Sequence, residues 1–211
     1  MKIFVCFLGI AFSSVAQDES KPPVTKLEFI LASPNLSANS IGAKPKTIYL
    51  AGKTYARIEQ PADVTSERQN LIIVHEPDVW IVDIAGLKGR HAVSPGPDFE
   101  VHNPILGPDG PPEFSELEYG HEPEFFRRPE AKTLQSKRIG TAKCEVKELK
   151  ANHYRITLYT DSVKKCPVLL QVFHGEEVIV QIVYLSYETG LAFNPSLFQP
   201  PKAISFVEAV E

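Results

Sequence analysis

The sequence contains few of the residues that mark specialised protein classes. Its 211 residues include three cysteines, one methionine and one tryptophan, and 22 Lys+Arg residues face 26 Asp+Glu residues for a net charge of −4. So few cysteines exclude a disulfide-dense scaffold. The slight acidic excess predicts no general attraction to nucleic acid. The ten residues from Val178 form the most apolar later stretch, but Gln181 interrupts it and it is far too short to span a membrane.

Catalytic and metal-binding motifs are also missing. The sequence has no GxSxG and no CxxC motif. Each of its two HEP segments has an apolar residue, Val79 or Phe125, where a zinc-binding HExxH helix has its second histidine, and Pro77 and Pro123 oppose a helix there. We therefore predict no catalytic residue, no metal site, no cofactor and no enzymatic activity. The six histidines are scattered along the sequence, which leaves open whether His75, Asp78, His91 and His102 come together in space. The acidic run at 113–124 is interpreted as a solvated surface.

The first residues predict export. Residues 1–16 combine a basic residue, an apolar stretch and small residues, with Ser14 and Ala16 at the −3 and −1 positions of a cleavage site. A polar leader at 17–24 follows, and residues 25–211 are long enough for one domain. We expect a periplasmic or secreted protein with no membrane-spanning segment after cleavage.

Cleavage would leave two cysteines, Cys144 and Cys166. An even pair in an oxidising compartment favours a disulfide between them. Two buried free thiols are the alternative.

Alternating apolar and polar residues predict a chain of β-strands. Eighteen prolines and twelve glycines fit a chain with many turns. Strands are predicted over 25–33, 47–50, 54–60, 71–75 and 79–84, followed by a short strand that ends at residue 93. Four more are predicted over 143–149, 153–160, 167–174 and 177–187. A Pro/Gly-rich insertion at 94–130 separates the two groups of strands. The only helices predicted are short ones, over 113–120 and 123–138, the second interrupted by Pro129.

Three segments resemble the LolA-like periplasmic lipoprotein carriers and lipoprotein-sorting proteins. These segments are KTYARIEQP, QNLIIVHEPDVWIVDIAGLKGRHAV and SLFQPPKAISFVE, and the residues that carry the resemblance are Arg57, Glu59, Trp80, Asp83, Phe198, Pro200 and Pro201. The resemblance implies a mainly β (β-rich α+β) fold, an antiparallel unclosed half-barrel with short helices or loops as a lid. It also implies a non-enzymatic protein that holds a lipid, an acyl chain or a lipidated partner protein.

The sequence leaves two interpretations of the apolar strand residues open. In the first interpretation they line a ligand cavity, whose lining residues would be Leu27, Phe29, Leu31, Ile58, Trp80, Val82, Ile156, Leu158, Val178, Val180 and Ile182. The same residues also suit an ordinary closed core. A second hypothesis is an envelope interaction or sensing module without a ligand, in which the insertion is the docking surface. The aromatic residues of that insertion either contact a partner or pack onto the sheet: Phe99, Phe114, Tyr119, Phe125 and Phe126.

Overall fold

The computed structural model describes residues 21–32, 36–37, 40–63, 68–108 and 110–208. The predicted signal peptide and residues 17–20 of the leader lie outside these ranges. Twelve strands are formed, namely β1 (Val24–Ala32), β2 (Lys46–Ala51), β3 (Tyr55–Glu59), β4 (Asn70–His75), β5 (Asp78–Asp83), β6 (Lys88–Val93), β7 (Lys132–Ile139), β8 (Ala142–Ala151), β9 (Tyr154–Asp161), β10 (Pro167–His174), β11 (Glu177–Leu191) and β12 (Ser205–Glu208). One short helix, α1 (Glu122–Phe125), and three 3-10 turns (Ile41–Ala43, Pro112–Phe114 and Pro195–Phe198) complete the secondary structure of the described residues.

All twelve strands belong to one open sheet. Their order is β12-β6-β5-β4-β3-β2-β1-β11-β10-β9-β8-β7, and every neighbouring pair is antiparallel except β12 with β6. Strands β1 to β6 and strands β7 to β11 form two meanders, which β1 and β11 join at the centre. The predicted fold class, an unclosed and mainly antiparallel β-sheet with little helix, is confirmed.

Two segments cross the sheet on opposite faces. Strand β6 lies near one edge and β7 forms the other edge, so the chain between them must traverse almost the whole width of the sheet. The part of this connection that contacts the sheet, residues 101–131, is called the lid, and the face it covers is the front face. Residues 192–204 connect β11 to β12 at the far edge and contribute Phe198 and Ile204 to clusters on the rear face.

The second predicted helix, over 123–138, is wrong. Only Glu122–Phe125 is helical, and residues 132–139 form β7, which pairs with β8 from Lys132 to Ile139. The helix ends at Phe125, before Pro129 is reached, and Pro129 disfavours its continuation towards residue 138. The largely exposed residues of β7 are paired through their backbone with β8 at the edge of the sheet. The first predicted helix, over 113–120, is reduced to the 3-10 turn Pro112–Phe114.

Both predicted disulfide partners are free thiols in the structure. Cys144 on β8 lies opposite Asp161 on β9, and the Asp161 amide donates a hydrogen bond of 2.9 Å to the Cys166 carbonyl on the other side. Strand β9 therefore lies between the two cysteines. Two strand spacings amount to about 9–10 Å, which exceeds the Cα separation that a disulfide bridges. The predicted disulfide is therefore not formed in this structure.

A candidate ligand-binding face

The front face of the sheet is an apolar surface, and the lid supplies the residues packed on it. Strands β1, β2, β3, β4, β8, β9, β10 and β11 contribute buried side chains to this front cluster. The lid contributes Phe114, Leu117, Phe125 and Phe126, each at most 5% exposed, with Val101, Ile105, Leu106 and Tyr119 partly buried beside them. Tyr119 stacks on Phe29 with ring centroids 4.8 Å apart. The aromatic residues of the insertion thus pack onto the sheet, except Phe99, which is 43% exposed.

Eight of the eleven predicted lining residues belong to the front cluster. Five of them are buried and three are partly buried: Leu27, Phe29, Ile156, Leu158 and Ile182, then Leu31, Ile58 and Val180. Trp80 and Val82 lie instead in the rear cluster with Leu71, Ile73 and Ile204. The alternation of β5 explains this separation, since Val79 faces the front and its neighbour Trp80 faces the rear. Val178 is partly buried and belongs to neither cluster.

The lid leaves part of the front face exposed. Ile48, Ile58, Ile72 and Ile81 are successive cross-strand partners on β2, β3, β4 and β5, and we call them the isoleucine row. Exposure increases along the row from 3% at Ile48 to 52% at Ile81. The next partner of Ile81 is the exposed Arg90 on β6. The front face therefore continues from the lid as a partly exposed apolar strip that ends at a cation.

A fully buried carboxyl group holds the lid to β11. Glu122, the first residue of α1, accepts hydrogen bonds from the Tyr184 hydroxyl at 2.7 Å and the Tyr187 hydroxyl at 3.1 Å. It also accepts a bond of 3.0 Å from the Gly120 amide, and the Tyr187 hydroxyl is 2.9 Å from the Gly120 carbonyl. Glu122 is therefore an exception to the interpretation of the acidic run as a solvated surface, whereas Glu113, Glu116 and Glu124 of the same run are exposed.

Burial raises the pKa of Glu122 to about 7, because the ionised carboxylate loses its hydration, while the tyrosine hydroxyls and the Gly120 amide oppose the shift. Burial and the Glu122 charge raise the pKa of Tyr184 and Tyr187 well above the usual value. These tyrosines therefore remain neutral donors at physiological pH. Among the described residues, no Lys, Arg or His side chain is hydrogen bonded to the Glu122 carboxyl.

A bulge in β11 brings the two tyrosines together. Tyr187 pairs with Leu27 and Tyr184 pairs with Phe29, and the register shifts between these pairs. Leu27 and Phe29 are two residues apart and share a face, so their partners share it as well, although Tyr184 and Tyr187 are three residues apart. Simple alternation would place the tyrosines on opposite faces. The sequence analysis missed this site because the bulge has no recognisable motif.

Weaker contacts hold the other border of the lid. The Lys147 ammonium on β8 donates a hydrogen bond of 2.9 Å to the Phe126 carbonyl, and the Asn152 amide donates one of 2.9 Å to Glu113. The Arg128 guanidinium lies 4.0 Å from the Phe125 ring centroid and forms an ion pair with Glu116. These contacts are partly or fully exposed, so each contributes little to stability.

Two clefts lie along the borders of the lid. One, of about 460 Å³, lies between the lid and the β11 end of the sheet; its lining includes His121, Arg127, Lys164, Lys165, Cys166 and Tyr187. The other, of about 450 Å³, lies between the lid and β8; its lining includes Phe114, Phe125, Arg128, Leu149 and Lys150. Both are open clefts beside the lid rather than enclosed chambers.

His75, Asp78, His91 and His102 do not form one cluster in the structure. His91 contacts Asp78 at 2.7 Å and stacks on Trp80, whereas His102 contacts Glu118 at 2.8 Å and His75 stacks on Tyr55. Within the described ranges, no group of three or more His, Cys, Asp or Glu side chains is arranged to hold a metal ion. None of the helices in those ranges has the length and apolar character needed to cross a membrane.

No family model and no curated protein matches the chain. Several solved structures do match it. An uncharacterised conserved protein from Thermus thermophilus shares 11% identity, with 88% of this chain and 90% of that chain covered and a TM-score of 0.50. The Pseudomonas aeruginosa MucA/MucB complex shares 11% identity over 88% of this chain and 58% of that chain, with a TM-score of 0.45.

A putative outer membrane lipoprotein-sorting protein domain from Vibrio parahaemolyticus shares 12% identity over 86% of this chain and 90% of that chain, with a TM-score of 0.31. Its description is the one that the sequence resemblance names. Likeness at such identity concerns the fold alone, because one fold serves many functions. The chain is thus similar in fold to the Thermus thermophilus protein.

Proposed function

We propose that this protein is an exported, non-enzymatic binding protein that holds a lipid, an acyl chain or the acyl chain of a lipidated partner on the front face of its sheet. The observation that carries the proposal is the partly covered apolar face, closed over its central strands by the lid and exposed along the isoleucine row. A ligand chain would enter along this row and extend under the lid as the lid is displaced.

The composition of the face suits such a ligand. Ile58, Ile72 and Ile81 present adjacent aliphatic side chains without a polar group between them. Burying the exposed part of this row under an acyl chain would be favourable by about 25 cal/mol for each Å² of apolar surface removed from water. Arg90 at the end of the row suits a carboxylate or phosphate headgroup, which a guanidinium binds with two parallel hydrogen bonds.

The lid suits a removable cover. The backbone hydrogen bonds of the described lid residues run mainly within the lid itself, and the Val101 amide joins it to the β2–β3 turn through a bond of 2.7 Å to the Lys53 carbonyl. Displacing the lid as a unit would therefore break few backbone hydrogen bonds. Its attachment to the sheet consists of apolar side chains and a few polar contacts at its borders. Irregular segments of this kind commonly open at lower free energy than the strands beneath them.

Uptake of a fluorescent fatty acid by two matched variants tests the proposal. Ile81→Glu places a charge on the isoleucine row, and Leu185→Glu places the same charge on β11 at a residue outside the front cluster; the two side chains are 52% and 51% exposed. We expect Ile81→Glu to weaken uptake at least tenfold because a carboxylate cannot be buried against an acyl chain without a large cost. Leu185→Glu should bind like the unmodified protein.

Native mass spectrometry of the protein purified without detergent provides the independent measurement. A co-purifying lipid that is lost in Ile81→Glu and retained in Leu185→Glu would support the proposal. Equal uptake by both variants would contradict it.

The alternative is an envelope interaction or sensing module without a small ligand. The observation that favours it is the dense packing of Phe114, Leu117, Phe125 and Phe126 on the front face, which leaves the central strands covered. A protein that takes up no fatty acid even when the lid is weakened would support this alternative.

A further inference from the structure

We propose that Glu122 is a pH-dependent latch, which fastens the lid to β11 when its carboxyl group is protonated and releases it when the group ionises. A role of this latch in controlling ligand access rests on the proposed function. The latch itself concerns only how the lid is held, and it is tested without a ligand.

The position of Glu122 makes it a fastening between two parts of the chain. It lies at the start of α1 in the lid, while Tyr184 and Tyr187 belong to a central strand of the sheet. Its three hydrogen bonds thus hold the lid, both to the strand and to its own Gly120 turn. Displacing the lid breaks the two bonds to β11 and exposes the carboxyl group to water.

The surroundings of the carboxyl determine the direction of the pH effect. The groups that act on it are the hydroxyls of Tyr184 and Tyr187, the backbone amides of Glu122 itself and of Gly120, and the nearby Tyr119. Glu124 and Cys166 lie close to Tyr187. None of these groups supplies a positive charge, so the ionised carboxylate is stabilised by neutral donors alone. His121, Arg127, Lys164 and Lys165 line the adjoining cleft without a hydrogen bond to the carboxyl.

The sign follows from comparing the closed and open lids. In the closed lid the pKa of Glu122 is raised to about 7, whereas in the open lid the hydrated group returns towards 4.5. Between these values the open form has lost its proton and the closed form has kept it, so rising pH favours opening. Between pH 5 and pH 8 the opening equilibrium should increase by about two orders of magnitude. Below pH 4.5 the lid is held most firmly.

Amide hydrogen exchange of the full mature chain at pH 5 and pH 8 tests the latch. After correction for the intrinsic pH dependence of exchange, protection of the Val101 amide, which donates a hydrogen bond of 2.7 Å from the lid to the Lys53 carbonyl, should fall about a hundredfold as pH rises, which is the opening ratio expected from the two pKa values. Amides of β9, at Ile156 and Leu158, should keep their protection. An equal fall in β9 would mean global unfolding and would overturn the proposal.

Two glutamate variants on the same helix provide the control. Glu122→Gln keeps the size and the hydrogen-bonding oxygen but cannot ionise, so its lid should stay protected at both pH values. Glu124→Gln changes an exposed residue paired with Arg127 at 3.6 Å and should retain the pH dependence of the unmodified protein. The proposal fails if Glu122→Gln keeps that dependence or if the unmodified lid shows none.

A tyrosine variant keeps the inference testable if Glu122→Gln does not fold. Tyr184→Phe removes the donor that is 2.7 Å from the carboxylate, and this loss disfavours the ionised form. The pKa of Glu122 in the closed lid should therefore increase, so that opening continues to rise to a higher pH before it levels off, while its onset near pH 4.5 stays the same. An unchanged levelling-off pH would overturn the latch, whereas failure of fatty acid uptake by the unmodified protein would overturn only the proposed function.

Discussion

The lid and the rear segment, residues 192–204, cross opposite faces of the same sheet and are fastened differently. Each inserts a phenylalanine that is 1% exposed, Phe126 in the lid and Phe198 in the rear segment. The lid is further held by the buried carboxyl of Glu122. The rear segment is held by Arg57, whose guanidinium donates a hydrogen bond of 3.1 Å to the Leu197 carbonyl and forms an ion pair of 2.6 Å with Glu59.

The chemistry of these two fastenings differs in its response to pH. A guanidinium stays charged throughout the physiological range, so the charge with which Arg57 holds the rear segment does not change with pH in that range. The pKa of the Glu122 carboxyl, raised to about 7 by burial, lies within that range. The comparison indicates that the attachment of the lid, unlike the contact made by Arg57, includes a group that titrates in this range.

The largest effect should come from truncating the two buried phenylalanines. Phe126→Ala and Phe198→Ala should each lower the free energy of unfolding by about 3–5 kcal/mol, because both leave a cavity in a packed cluster. Only Phe126→Ala should increase uptake of a fluorescent fatty acid, since only Phe126 covers the front face. Urea unfolding and fluorescence binding measure the two properties. Equal uptake by both variants would mean that the lid is no more removable than the rear segment.

The next effect concerns the pH dependence of stability. Because the pKa of Glu122 is raised on folding, its contribution is complete below pH 4.5, is lost as pH rises to about 7 and is constant above that. Relative to Glu122→Gln, the unmodified protein should therefore lose about 2–3 kcal/mol of unfolding free energy between pH 5 and pH 8.

Arg57 provides the contrast for this measurement. Arg57→Met should lower stability by a similar amount at both pH values, since the guanidinium does not titrate between them. Urea unfolding of the three proteins at pH 5 and pH 8 gives the comparison. If Arg57→Met abolished the pH dependence of the unfolding free energy and Glu122→Gln retained it, the titrating attachment would be that of the rear segment and not that of the lid.

The smallest effect should appear in the reactivity of the two thiols. Cys144 is buried in a cluster with Val146, Tyr159 and Leu169, whereas Cys166 lines the cleft beside the lid. Burial raises the pKa of both thiols, so both should react more slowly than an exposed cysteine. Cys166 should react first with a disulfide reagent. Single Cys→Ser variants identify which thiol reacts, and failure to react under denaturing conditions without reductant would indicate a disulfide.

Much of the sheet was predictable because alternation is a local property. The predicted strands over 71–75 and 79–84 correspond to Asn70–His75 and Asp78–Asp83, and the four strands of the last third are formed within a few residues of their predicted bounds. Strand β7 could not be predicted, because the exposed residues 132–139 show no apolar alternation and are extended only by pairing with β8.

The predicted site was only partly recoverable for a similar reason. Alternation shows which residues of one strand share a face, but not which face of one strand matches that of another. Leu27 and Trp80 were therefore assigned to the same cavity, although they lie on opposite sides of the sheet. The Cys144–Cys166 disulfide was inferred from their even number, and only the position of β9 between them argues against it.

The sequence by itself determined the strand-rich character of the protein, the Pro/Gly-rich connection and the lack of a recognisable catalytic motif, because these properties follow from neighbouring residues. Tertiary structure alone decided three others. The order of the strands carries residues 101–131 across the front face, and the bulge in β11 places Tyr184 and Tyr187 side by side. The burial of Glu122 between them then raises the pKa of its carboxyl, since ionisation depends on the surrounding solvent and not on the residues adjacent in sequence.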